Sequence, residues 1–156
     1  MGLLENVFNR LADAVKDEFS LFHIESLCSQ LGWGIDERLG DWGIVLHFKD
    51  SVVGIRKVNV VISKASGLVV FSVLSAGEIS TRNAPGDLAY HLLARNGRGT
   101  LHSWHTYDTE FGKARLVASY SALIGGLNAL TFSTICEALC HEVNALDLKL
   151  QQCGMI

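Results

Sequence analysis

The chain has 156 residues, 49% of them hydrophobic and 19% charged, with a formal net charge of −3. This composition excludes an intrinsically disordered chain. Lysine and arginine are scattered, which leaves no basic footprint for nucleic acid, and no apolar run reaches the roughly 18 residues that a membrane span needs.

The length suits one domain, expected over residues 1–156. A core of that size forms without disulfide or metal, because such a domain buries about 70% of its unfolded surface. The opening M-G-L-L-E-N-V-F has neither the basic n-region nor the cleavage site of a signal peptide. Gly2 is followed by Asn6 where a myristoylation motif needs Ser or Thr. The four cysteines, Cys28, Cys136, Cys140 and Cys153, lack CxxC spacing. They are expected to be free thiols, and hence the protein cytoplasmic.

Leu3, Leu4, Val7, Phe8, Leu11, Val15 and Phe19 recur at three and four, which predicts an amphipathic N-terminal helix within residues 1–20. A second helix is predicted from Ile24 to Leu31, with Gly32 as its stop. The period then changes to two. Strands are expected at Trp33–Leu39, around Ile44, Leu46 and Phe48, and around Val58, Val60 and Ile62. Lys49–Gly54 reads as a loop, and Lys64–Gly67 as a hairpin connection. Leu68–Leu74 is almost continuously apolar, so both of its faces are expected to be covered.

Gly77–Ala84 is polar and reads as a break in the sheet. Pro85 suits the first turn of a helix that Asn96 and Gly97 close. A hairpin follows. Leu101, Ser103, His105 and Tyr107 share one face of its first strand, and Thr100, His102, Trp104 and Thr106 the other. Leu116, Ala118 and Tyr120 alternate with Val117 and Ser119 on the second strand. Thr131 is the expected N-cap of a long last helix, striped by Ile135, Leu139, Val143, Leu146 and Leu150. Helix, strand meander, helix, hairpin, helix is an α+β order with an antiparallel sheet packed against helices.

Few residues offer chemistry. His102 and His105 leave a strand on opposite sides and do not converge on a metal. Cys136 and Cys140 share one side of a helix beside His141, but zinc would need two more ligands, from Cys28 or Cys153 for example. Core packing is the plainer role for them. Ser103, His105 and Asp108 could make a small hydrolase of the His102–Asp108 hairpin, yet no nucleophile elbow surrounds the serine. Gly32-x-Gly34 and Arg98-Gly99 are turns, since neither follows a strand and opens a helix. Trp33, Trp42 and Trp104 carry large contact area with few torsions to freeze, which suits a partner-binding surface as well as a core.

The order of elements resembles the type III secretion chaperone-like fold shared by the YbjN family. The closest local likeness is L-L-A-R-N-G-R-G-T-L, Leu92 to Leu101, a helix end placed just before a hairpin. Its second strand, A-R-L-V-A-S-Y from Ala114 to Tyr120, leads through a loop to the long terminal helix. The likeness covers residues 31–150, with residues 1–20 as an addition. It implies a homodimer with a non-enzymatic role, binding segments of partner proteins; no cofactor is expected, and composition already speaks against nucleic acid and membrane. The Pro85–Asn96 helix agrees, because Leu88, Tyr90, Leu92 and Leu93 make it apolar on more than one side. Leu88, Tyr90 and Leu93 are therefore the expected dimer interface. A structural subunit of a larger complex is the remaining alternative.

Overall fold

The computed structural model describes residues 21–63, 66–82, 84–97, 102–110 and 112–156. The N-terminal helix expected within residues 1–20 lies outside them, as do Thr100 and Leu101 of the expected first hairpin strand. Helix α1 spans Leu21–Gln30. It ends in a Schellman closure: Gly32, at φ 69°, donates to the Ser29 carbonyl and Trp33 to the Cys28 carbonyl. That reversal turns Trp33 and Ile35 back onto the core, so the expected Trp33–Leu39 strand shrinks to β1, Glu37–Arg38.

The meander continues through β2 (Gly43–Asp50), β3 (Gly54–Ser63) and β4 (Leu68–Leu74). Gly43 is a close approach, because a Cβ there would lie 2.7 Å from the Val60 carbonyl oxygen. A strand not foreseen, β5 (Ile79–Ser80), interrupts the polar stretch after β4. Only Ile79 is buried there, too little apolar periodicity to show in the sequence. Helix α2 covers Gly86–Gly97, followed by the hairpin β6 (Ser103–Glu110) and β7 (Lys113–Leu123). A 3-10 turn, Ile124–Gly126, leads to helix α3, Ala129–Gln152. Its N-cap is Asn128, whose side chain accepts the Thr131 N–H at 2.9 Å; Thr131 sits inside the first turn and is not the cap expected of it.

The seven described strands form one antiparallel sheet, ordered β1-β2-β3-β4-β7-β6, with β5 continuing beside β7 beyond the end of β4. Val58, Val60 and Ile62, Val69, Phe71 and Val73, and Leu116 and Ala118 face α1 and α3. The α3 stripe Ile135, Leu139, Val143, Leu146 and Leu150 is buried against them, as its spacing requires. Phe132 packs its ring on Phe71 at 5.5 Å and on Trp33 at 5.9 Å. The described helices cover one face only. Along β4, Leu68, Val70, Ser72 and Leu74 are half-buried between fully buried neighbours, so the expectation of two covered faces does not hold.

Candidate functional site

Helix α2 stands apart from the core more than the other described helices, for none of its residues is buried. Leu88 and Leu92, one turn apart, rest half-buried against the core. Two polar clamps hold its C-terminal end. Arg95 pairs with Glu142 of α3 at 2.5 Å. The Asn96 carboxamide accepts the Trp104 N–H at 2.7 Å and donates to the Trp104 carbonyl at 3.2 Å. On the side turned from the core, Tyr90 is 70% exposed and Leu93 68%. Of the three residues expected to make an interface, two therefore carry large apolar surface in water and Leu88 packs inward. Beside this face runs a groove of about 650 Å³ between α2 and the end of α3, lined by Leu88, Tyr90, Leu92, Leu146, Leu150 and Met155 among others.

The tryptophans divide. Trp104 is buried, and Trp33 is half-buried with its ring against Phe48 at 5.0 Å. Trp42, in the turn before β2, is 47% exposed. It is the one of the three that offers broad surface to a partner.

The residues with chemical potential do not gather. His102 is turned inward toward Glu142, 3.3 Å away, while His105 is exposed on the other face. The Ser119 hydroxyl lies 3.4 Å from His105 Nδ1 and 3.2 Å from the Ser103 hydroxyl. Asp108 leaves the strand on the face opposite His105. Neither the groove beside α2 nor a second cleft across the sheet is lined by any of them. Cys28 and Cys136 are buried. Burial pushes the thiols of Cys28 and Cys140 up to about 11, and that of Cys136 further in the same direction. Thiols held protonated are poor nucleophiles. Among the described residues, no group of three His, Cys, Asp or Glu side chains is placed to hold a metal ion, and no helix is long and apolar enough to cross a membrane.

One cluster has no counterpart in any pattern of the sequence. Arg56 on β3 is buried and donates to Asp147 at 2.9 Å, to Asn144 at 2.5 Å and to the Leu74 carbonyl at 3.1 Å. Asn144 in turn donates to Asp50, whose other oxygen accepts the Val52 and Val53 N–H groups at 2.8 Å. Asp147 also accepts the Ala76 N–H at 2.9 Å. Desolvation raises the pKa of Asp147 despite these partners. For Asp50, desolvation is outweighed by the Val53 and Val52 N–H groups, Asn144 and Arg56, so its carboxyl lies below the usual range. The network ties the β2–β3 turn, β3 and the end of β4 to α3. It fixes the sheet's end beneath the helix, and its partners stand too far apart in sequence to form a local pattern.

No family model and no curated protein matches this sequence. The fold is similar to that of YbjN from E. coli, a putative transcription regulator, at 14% identity over 85% of this chain and 91% of that one, with a TM-score of 0.58. It is also similar to the Yersinia pestis type III secretion chaperone SycH, solved in complex with a stable fragment of YscM2, at 13% identity over 80% of this chain and 96% of that one, with a TM-score of 0.55. The chain therefore has the YbjN and type III secretion chaperone-like fold expected of it.

Proposed function

We propose that this chain is a non-enzymatic, cytoplasmic protein- or peptide-binding module that works as a homodimer. The observation that carries the reading is the outward face of α2, where Tyr90 and Leu93 lie one turn apart in water on a helix with no buried residue. Paired apolar side chains on a rigid helix are what a two-fold interface buries, each residue against its mate's surface. Arg95, Asn96 and the packed Leu88 hold the helix in place, so little order has to be gained on association.

A partner segment would dock on the uncovered face or free edge of the sheet. In support, β6 lies at an edge of the sheet among the described strands. Asn96 occupies the outward backbone groups of Trp104, and those of Thr106, two residues on, point the same way. Trp42 adds exposed aromatic surface at the other side of the sheet. The complex that SycH forms with a protein fragment supports the same kind of role.

Amide hydrogen exchange tests the interface directly. Protection across Leu88–Leu93 should rise with protein concentration while that of α3 stays constant. Protection of α2 independent of concentration would remove the homodimer.

A further inference from the structure

A second cleft, of about 490 Å³, lies at the other side of the molecule from α2, on the sheet face away from α3 and around the sheet's end. Its apolar lining is Leu39, Val45, Val53, Ile55 and Leu74, with Glu37, Asn59 and Ser75 beside them. Ile55 stands 57% exposed at its rim. Three cations line it, Arg56, Lys57 and Arg115, and they differ in what already holds them. Arg56 is matched from beneath by Asp147 at 2.9 Å and by Asp50 at 3.8 Å. Lys57 is matched by Glu37 at 2.5 Å, and it holds the Glu37 carboxyl below its usual range. Arg115 has no carboxylate partner among the described residues, and its Nε, like that of Arg56, is buried with no hydrogen-bond partner.

A buried guanidinium N–H without an acceptor calls for a ligand or ordered solvent. The planar fork of arginine fits a carboxylate in two parallel bonds. Lys57 and Arg56 already have carboxylate partners, so Arg115 alone is left to meet an anion, which suits a monoanion better than a phosphate dianion. The cleft is of ordinary size for a small ligand, and apolar surface with a few convergent polar groups is the usual pattern of such sites. We propose that this cleft binds a small monocarboxylate bearing an apolar chain. Arg115 takes the carboxylate, and Ile55, Leu39 and Leu74 take the chain. This site is separate from the α2 interface and does not depend on it.

Octanoate is a suitable probe, titrated calorimetrically into the full chain at low salt, with octanol and inorganic phosphate as controls. Octanoate should bind, and octanol and phosphate should bind at least about tenfold more weakly. Arg115→Gln should weaken octanoate by about tenfold or more and leave octanol unchanged. Because Arg115 lies within β7, Ile55→Ser at the exposed rim is the second variant. It should weaken octanoate but leave the preference over octanol intact. Absence of octanoate binding at millimolar concentration, equal binding of octanol, or unchanged affinity in a folded Arg115→Gln would overturn the proposal. Tighter binding of phosphate than of octanoate would overturn it too.

Discussion

One side chain, Asn96, occupies both outward backbone groups of Trp104, accepting its N–H at 2.7 Å and donating to its carbonyl at 3.2 Å. A carboxamide has the geometry of a peptide group, so the end of α2 stands in for a neighbouring strand at that point of the β6 edge. Removing it leaves a donor and an acceptor in a part-buried place. Asn96→Ala should cost about 1–3 kcal/mol in urea unfolding. A loss below about 0.5 kcal/mol would mean that water replaces the carboxamide fully.

The contact between α3 and the sheet makes a second prediction. Leu139 is buried among Ile135, Val143 and the sheet's inner face. Leu139→Ala should cost roughly 2–5 kcal/mol, read from the urea midpoint at unchanged m-value. An effect under about 1 kcal/mol would show the helix lifted from the sheet.

The Arg56 cluster behaves differently, because charge is buried as well as volume. Arg56→Met strands the buried Asp147 without its cation, and should cost roughly 3–5 kcal/mol. Adding Asp147→Leu should restore part of that stability. A double variant as unstable as the sum of the two singles would show that the pair does not interact.

The buried thiols give a pH dependence of definite sign. Burial lifts Cys28 from its ordinary 9.0 to about 11. The folded protein keeps a proton that the unfolded chain releases between those values. This contribution is therefore fully present below pH 9 and is lost as pH rises through about 11. The slope of urea stability against pH should be steeper over that window than in Cys28→Ala, by up to roughly 2–3 kcal/mol in all. Equal slopes would place the thiol in contact with water.

Much of this fold was legible because its long elements are periodic. The stripe of α3 and the alternation in β3 and β7 each name their buried face, and Gly32 marks the end of α1. Short elements escaped. Ile79 alone marks β5, and two residues pair in β1 where seven read as a strand, because the Schellman closure draws Trp33 inward. Asn128 and Thr131 are both able caps, and the sequence does not rank them. The uncovered face of β4 was hidden because Leu68, Val70 and Leu74 are apolar although half-exposed. Of the candidate interface, Tyr90 and Leu93 could be read from the surplus of apolar residues around one short helix. Arg56, Asp50, Asn144 and Asp147 could not, since only the tertiary fold brings them together, and the same is true of Arg115 over its cleft.

The homodimer is the central claim, and light scattering on the purified chain at tens of micromolar tests it most directly. The wild type should show twice the 17.0 kDa of one chain. Leu93→Asp would set two carboxylates into an apolar interface, and it should show 17.0 kDa with an unchanged circular dichroism spectrum. A wild-type mass of 17.0 kDa under those conditions would contradict the account.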